Sequence, residues 1–314
     1  LSKSPLTTLR KKKWVEFGKK TEVIDPFAGD EVVRDKSPEL TSAQQQCVKS
    51  ITKSVDKKNH QDFLMYGITG SGKTEVYLHA LERCLAQGRG GIVLVPEISL
   101  TPQTVARFRA RCGDVAVLHS GLTDVERHDQ WVAIRNGELR VVVGARSALF
   151  APVPDLGIII VDEEHESTYK QESTPRYQAR DVARERARLE SAVCVLGSAT
   201  PSLESWQAAK DSPDMQLLNL RERVAGGVLP PVKLVDMRIE KAEKGHWLVV
   251  SSQLKFALKN VLEKKEQAIL FLNQRGFSPA WYCRPCGKTI SCHTCDVALT
   301  YHRWRKKALC HYCL

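Results

Sequence analysis

Eight residues in the first third of the sequence have the spacing of a phosphate-binding loop. The segment GITGSGKT at positions 67–74 fits the pattern GxxxxGK[ST]. An apolar run, Phe63–Tyr66, precedes it and a helical pattern follows it, which is the context the motif requires. Glycines let backbone N–H groups approach phosphate oxygens, and the helix N-terminus adds positive potential. We expect a nucleotide to bind at Gly67, Ile68, Thr69, Gly70, Ser71, Gly72, Lys73 and Thr74.

An acidic segment further along the chain predicts the rest of a hydrolytic site. In such loops the lysine holds the β- and γ-phosphates and the hydroxyl residue ligates Mg²⁺, roles that fall to Lys73 and Thr74. Asp162-Glu-Glu-His165 ends an apolar strand. Asp162 is expected to be the second Mg²⁺ ligand and Glu163 to polarise the attacking water. His165 is a further catalytic candidate, although a histidine at a strand end also fits a structural role.

A third strand end carries small hydroxyl residues. Gly197-Ser-Ala-Thr200 follows an apolar run. Parallel strands end at the same edge of a sheet, so Ser198 and Thr200 can hydrogen-bond the acidic segment. The two residues are therefore candidates for coupling nucleotide state to the rest of the protein.

Six of the ten cysteines form three CxxC pairs after residue 282. Cys292, Cys295, Cys310 and Cys313 have the spacing of a zinc ribbon, in which four thiolates surround one ion. Free thiols are the alternative, but a basic segment this short cannot form a core without metal. The other four cysteines are scattered, which excludes a disulfide framework and favours a reducing compartment.

The elements that must position these residues follow a simple alternation. From 41 to 210, strands alternate with helices, which predicts a parallel sheet covered on both faces. Ser251–Lys264 is expected to be a helix and Ala268–Leu272 a strand, the first βα unit of a second α/β domain. A short basic helix followed by a strand at Trp14–Phe17 is expected near the start.

Composition narrows the class of protein. The 314 residues are 42% hydrophobic and 26% charged, so disordered and fibrous classes are excluded. No apolar run approaches the ~18 residues of a membrane span. The net charge is +11, and residues 241–314 hold 13 Lys or Arg against 4 Asp or Glu. This skew suggests a polyanion partner such as nucleic acid, with a solvated basic face as the open alternative. Because the first residue is Leu1 and no signal peptide is visible, we expect a segment of a longer or processed, cytoplasmic protein.

The order and spacing of these motifs resemble superfamily 2 helicases with a DExH box, and among them the replication-restart DNA helicases. Further segments carry the resemblance, which covers residues 40–314: LVPEISLTPQT (94–104), HSGL (119–122), GARSALF (144–150), RYQARD (176–181) and LFLNQRGFSP (270–279). It implies an α/β fold, with a RecA-like P-loop sheet as helicase lobe 1, the start of lobe 2 and a Cys-rich zinc segment. The implied domains are a winged-helix-like tail (1–25), a linker (26–40), lobe 1 (41–225), a connector with the start of lobe 2 (226–280) and an incomplete zinc segment (281–314).

The resemblance also implies roles for individual residues. Gln44 would read adenine, and the backbone of the tracked DNA strand would contact Thr101, Arg146 and Ser147. Tyr169 and Tyr177 flank a loop similar to an aromatic-rich loop of these helicases, with core packing as the alternative.

The zinc ligands are implied in the same way. The resemblance supports pairing of the four nested cysteines around one zinc. It also implies a second zinc on Cys283 and Cys286, whose partner cysteines would follow Leu314.

The function implied by the resemblance is an ATP-dependent 3′→5′ DNA helicase that remodels stalled forks and initiates primosome assembly. Its cofactors would be ATP, Mg²⁺ and Zn²⁺, and its partners forked and single-stranded DNA, single-stranded-DNA-binding protein and other primosome proteins, with no membrane. The γ-phosphate arginines of such motors would follow Leu314, so this chain by itself would be a weak ATPase. Two alternatives stay open: a non-catalytic fragment that binds DNA and primosome proteins, or another superfamily 2 translocase.

Overall fold

The structure is a computed structural model in which two units are distinguished, residues 1–229 and 230–314. The residues it describes are 3–14, 37–224, 226, 231–237, 250–271, 289–295, 297–302 and 307–310.

The first unit is built on a seven-stranded, entirely parallel sheet. Its strands are β1 (Gln61–Gly67), β2 (Gly90–Leu94), β3 (Val115–Leu118), β4 (Val141–Gly144), β5 (Leu156–Asp162), β8 (Val193–Ser198) and β9 (Met215–Leu220). They lie in the order β3-β4-β2-β5-β8-β1-β9. A two-residue hairpin, β6 (Lys170–Gln171) with β7 (Tyr177–Gln178), lies outside the sheet order. The predicted α/β fold with a parallel sheet is confirmed.

Helices connect the strands and cover both faces of the sheet. They are α2 (Ser42–Lys57), α3 (Lys73–Ala86), α4 (Pro102–Cys112), α5 (Asp124–Arg135), α6 (Ala179–Leu189) and α7 (Leu203–Asp211), with α1 (Lys3–Lys11) preceding them. Side chains that cap the first turn explain where two of the helices begin. Thr41 and Gln44 form a capping box at the start of α2, and Thr101 caps α4 ahead of Pro102.

Apolar side chains point alternately to the two faces of the sheet, and helices bury both faces. Ile158 and Ile160 point to the face covered by α2, α3 and α4, whereas Ile159 and Val161 point to the face covered by α5, α6 and α7. Continuous apolar strands of this kind require a cover on each side. Because the seven strands are parallel, their carboxyl ends lie at one edge of the sheet, and the loops that carry the motifs follow there.

The edge strand β9 and helix α7 were not expected from the sequence. In β9, Met215, Leu218 and Leu220 are buried while Gln216 and Asn219 are exposed, a half-buried edge that follows no strict alternation. The strand pairs with β1, and its end at Leu220 lies beside the phosphate-loop motif.

In the second unit the structure describes one helix and a small hairpin. Helix α8 (Ser252–Glu263) matches the predicted helix, and strands β10 (Thr300–His302) and β11 (Lys307–Leu309) pair antiparallel. The strand predicted at Ala268–Leu272 is wrong over its described part. Residues 268–271 form no regular element, and Ile269 is 97% exposed, because no described strand lies alongside to pair with their backbone groups.

Near the start, α1 matches the predicted short basic helix, while the strand predicted at Trp14–Phe17 lies outside the described residues except for Trp14. Among the described residues, none of the helices combines the length and apolarity that crossing a bilayer requires.

Candidate nucleotide site and zinc cluster

The loop between β1 and α3 curls through left-handed backbone at two glycines. Gly70 has φ +82° and Gly72 has φ +79°, values that residues other than glycine rarely adopt. Gly72 also lies against Gln44, where a Cβ atom would stand 2.2 Å from Nε2. The turn thus needs glycine at this position both for conformation and for space.

Gln44 is buried and braces the loop from α2. Its Nε2 donates to the Ser71 carbonyl (3.0 Å), and its Oε1 accepts from the Thr41 backbone N–H (2.9 Å). The residue implied to read adenine therefore lines the candidate nucleotide cavity, and its amide group is hydrogen-bonded to the loop and to the helix cap.

Lys73 points along the loop at the start of α3. Its Nζ donates to the Gly67 carbonyl (2.9 Å) and lies 3.6 Å from Glu163 Oε1. The ammonium group is nearly buried, and the neighbouring Ser71 hydroxyl is buried with no hydrogen-bond partner in the described structure. A buried cation and an unsatisfied hydroxyl inside a glycine cradle fit phosphate oxygens as acceptors.

Asp162 lies at the end of β5 and accepts hydrogen bonds from two tyrosine hydroxyls. The Tyr77 hydroxyl donates to Asp162 Oδ1 (3.0 Å), and the Tyr169 hydroxyl donates to the Asp162 carbonyl (2.7 Å). Burial, and next the charge of Glu163, raise the pKa of Asp162 above its ordinary 3.8. Burial also raises the pKa of Tyr77 well above 10, so the phenol stays a donor at working pH. A carboxylate whose charge is disfavoured in this way fits a divalent cation, which would restore the ionised form.

The turn after β5 holds the remaining acidic-motif residues. Glu163 has φ +47°, a left-handed conformation uncommon for a residue with a side chain. His165 Nδ1 lies 2.7 Å from Ser198 Oγ, and Nε2 lies 3.4 Å from Thr200 Oγ1. The histidine thus joins the acidic turn to the end of β8, the contact that the small hydroxyl residues were expected to make.

The phosphate loop, Lys73, Thr74, Asp162 and Glu163 line one cavity of about 620 Å³. Two arginines of α4, Arg107 and Arg111, reach the same cavity. Arg111 pairs with Glu75 Oε1 (2.6 Å) and Glu82 Oε1 (2.7 Å), so α3 and α4 are fixed to each other beside the site.

The residues expected to contact DNA lie along the same sheet edge, beyond β2 and β4. Arg146 and Ser147 line a smaller cavity of about 280 Å³, and Thr101 lies on the surface, where its Oγ1 accepts from the Thr104 N–H (3.2 Å). Arg146 Nη1 donates to the Thr168 carbonyl (3.0 Å) and to the Lys170 carbonyl. The arginine is thus tied to the β6–β7 hairpin.

The two tyrosines of that region differ in burial. Tyr169 is 1% exposed and belongs to the core, as the core-packing alternative stated. Tyr177 is partly exposed, and its ring packs edge-on against Phe150 with Arg146 5.8 Å from its centre. Of the pair, only Tyr177 is partly exposed to solvent.

Three cysteines of the second unit come together. The sulfur atoms of Cys292, Cys295 and Cys310 lie within 4.8 Å of one another, and those of Cys295 and Cys310 are 3.4 Å apart. Thiolates around tetrahedral zinc at ~2.3 Å are separated by about 3.8 Å. The Thr294 N–H points at Cys292 Sγ (3.4 Å), the kind of outer contact that orients a metal ligand. The three sulfurs therefore fit a zinc ion. The predicted ligands Cys283, Cys286 and Cys313 lie outside the described residues.

Comparisons with known proteins identify the family of the chain. The sequence pattern of the DEAD/DEAH box helicase family matches residues 41–209, and that of the PriA DNA helicase Cys-rich region (CRR) domain matches residues 292–314. The chain belongs to the DEAD/DEAH box helicase family.

The chain is also similar in sequence to two individual proteins. The chain is 49% identical over 290 residues to replication restart protein PriA of Bacillus subtilis (strain 168), covering 92% of this chain and 36% of that protein. It is 44% identical over 321 residues to replication restart protein PriA of Synechocystis sp., covering 99% of this chain and 38% of that protein. The chain thus spans between a third and two fifths of the length of these relatives.

Sequence reasoning missed several residues of the site. Tyr77 lies four residues after Lys73 on the buried side of α3, so helical spacing could have pointed to it. Arg107 and Arg111 come from a helix whose distance to the loop is set only by packing. Val224 donates its N–H to the Gly70 carbonyl (3.1 Å) from a segment with no motif, which no sequence signal would have indicated.

Proposed function

We propose that the protein is an ATP-dependent DNA helicase that moves 3′→5′, remodels stalled replication forks and initiates primosome assembly for replication restart. One observation carries the proposal: Lys73 Nζ, at the end of the glycine loop, lies 3.6 Å from Glu163 Oε1, next to the half-buried Asp162. This arrangement lies in a chain 49% identical to a replication restart protein. A loop, a cation and two carboxylates so placed suit hydrolysis of a nucleoside triphosphate.

ATP is the proposed substrate, with its phosphates in the cradle at 67–74. Thr74 and Asp162 would hold Mg²⁺, whose charge neutralises phosphate oxygens when it is bound. Lys73 would leave the Gly67 carbonyl for the β- and γ-phosphates. Glu163 would orient the attacking water and accept its proton at a carboxylate oxygen. Gln44 would face the adenine while it braces the loop.

DNA is proposed to run along the carboxyl edge of the sheet. Thr101 and Ser147 are exposed there, and the two carbonyl bonds of Arg146 engage only Nη1. The Nε and Nη2 donors of the guanidinium are therefore available for a phosphate of the tracked strand.

Ser198 and Thr200 would couple nucleotide state to DNA contact through His165. Catalysis at full rate is proposed to need arginines of a second lobe, which in P-loop enzymes are worth roughly 10³–10⁵ in rate. The residues from 1 to 314 by themselves would then hydrolyse ATP slowly.

Zinc would be held by Cys292, Cys295, Cys310 and Cys313, and a second zinc by Cys283 and Cys286 with cysteines from elsewhere. The domains would be those implied by the resemblance, with the protein acting in the cytoplasm on the nucleoid. Its protein partners would be single-stranded-DNA-binding protein and other primosome proteins.

The test is strand separation by the full-length protein on matched substrates. Forked DNA with a 3′ tail should be unwound with ATP, whereas a 5′-tailed duplex and an RNA duplex of the same sequence should not. Unwinding of the RNA duplex would favour another superfamily 2 translocase. ATP-independent binding to forks without unwinding would favour a non-catalytic binding protein.

A further inference from the structure

Glu164, in the turn after β5, has its side chain buried in the protein. Glu163 lines the candidate nucleotide cavity and His165 contacts Ser198, but the side chain of Glu164 between them is 0% exposed. An ionised carboxylate at such depth is stable only when it is paired and hydrogen-bonded.

Four donors from two helices surround this carboxylate. Oε1 accepts from the Ser202 backbone N–H (2.7 Å), and Oε2 accepts from the hydroxyls of Ser202 (3.1 Å) and Ser205 (3.0 Å). Arg180 Nη1 donates to the same Oε2 (3.1 Å) and also to the Ser202 hydroxyl. Ser202 is the N-cap of α7, so the carboxylate also lies at the positive end of that helix.

These bonds tie three elements together at one point: the turn after β5, the start of α6 and the start of α7. The backbone reinforces the tie, since the Glu164 N–H donates to the Gly197 carbonyl at the end of β8 (3.0 Å). The turn so fixed is the one in which Glu163 adopts a positive φ. A strained residue keeps its conformation only when its surroundings hold it there.

We infer that Glu164 and Arg180 are a positioning pair for hydrolysis: they hold the acidic turn so that Glu163 faces Lys73 and His165 faces Ser198. Neither residue lines the nucleotide cavity among the residues described there. The inference rests on the proposed ATP hydrolysis and deepens it. It predicts that disturbing the pair lowers the rate of the chemical step and leaves nucleotide affinity unchanged, because the phosphate loop is untouched.

The test compares Glu164→Gln with Glu204→Gln in the full-length protein. Glu204 also lies near Arg180 (3.9 Å to Nη1), but its side chain is 75% exposed, so it is a matched control. For Glu164→Gln we expect kcat of DNA-stimulated ATP hydrolysis to fall about 10-fold to 100-fold, as misplacement of reacting groups does. The Kd for a fluorescent ATP analogue should stay at the wild-type value, and Glu204→Gln should change neither quantity.

A purely structural role gives a different result. Glu164→Gln would then melt at a lower temperature but, below that temperature, keep wild-type kcat and Kd, which would overturn the inference. If this variant does not fold, Ser205→Ala removes a single bond to Oε2; a smaller fall in kcat with unchanged Kd supports the pair, and an unchanged kcat refutes it. A wild-type protein without ATPase activity would instead refute the proposed function itself.

Discussion

Replacing Gly72 with alanine should lower the free energy of unfolding through two separate contributions, whose sizes follow from the structure of the phosphate loop. The first is backbone strain, because Gly72 has φ +79° and a left-handed residue with a Cβ costs about 1–2 kcal/mol. The second is a clash, because the new Cβ would lie 2.2 Å from Gln44 Nε2. Gln44 must then give up its bonds to Ser71 and Thr41, at about 1 kcal/mol each. The sum is about 3–4 kcal/mol.

A second glycine separates the two contributions. Gly137 has φ +75°, and a Cβ there would meet only Pro154 Cγ at 4.0 Å, so Gly137→Ala carries strain without a clash. The Gly72→Ala variant should therefore be less stable than Gly137→Ala by about 2 kcal/mol, or about 4–8 °C in Tm for a unit of this size.

The assay is thermal melting by circular dichroism, with binding of a fluorescent ATP analogue measured on the same samples. Gly72→Ala should lose analogue binding and Gly137→Ala should keep it. Adding Gln44→Ala to Gly72→Ala should cost little more stability, because the bonds are already broken. Equal melting temperatures and equal analogue binding in the two glycine variants would refute the proposed bracing of the loop by Gln44.

Three further outcomes are expected. Lys73→Ala should reduce ATP hydrolysis about 10²–10³-fold and leave binding to forked DNA unchanged in a gel-shift assay; loss of both in a folded variant would show that the two sites are not separate. Cys292→Ser should release the zinc held with Cys295, whereas Cys283→Ser should not release that ion, as elemental analysis of both variants would show; equal losses would mean that the cysteines pair differently. Asp162→Asn should melt at a higher temperature than the wild type at pH 7 without nucleotide or Mg²⁺. Because the folded pKa of Asp162 is raised above 3.8, the contribution of this group to wild-type stability is most favourable below pH 3.8 and is lost as the pH rises through the folded pKa. The difference should therefore disappear toward pH 3.8, and a lower melting temperature for the variant at pH 7 would contradict the assigned cause.

Much of the fold was predictable because its signals are local. Apolar runs of strand length alternate with helical patterns, and a glycine loop lies between a strand and a helix, so the parallel sheet and the place of residues 67–74 follow from the sequence. The strand ends at Asp162 and Ser198 could be expected to meet for the same reason, since neighbouring parallel strands end at one edge.

What the sequence could not predict depends on packing between distant segments. The amide of Gln44 is used twice, and the chain order alone does not reveal that its partner is a carbonyl 27 residues away. The left-handed conformation of Glu163 has no residue-type signal, because it is imposed by the buried contacts of Glu164. The strand expected at Ala268–Leu272 is absent over its described part, residues 268–271, and no strand among the described residues pairs with that apolar run.

The most direct measurement is phosphate release by the full-length protein with and without single-stranded DNA, for the wild type and for Glu163→Gln. The side chain of Glu163 lies 3.6 Å from Lys73 Nζ and is proposed to orient the attacking water. We predict DNA-stimulated hydrolysis by the wild type, and a variant that binds the ATP analogue with wild-type affinity but does not release phosphate. Wild-type rates of phosphate release in Glu163→Gln would contradict the assignment of this site as the catalytic centre.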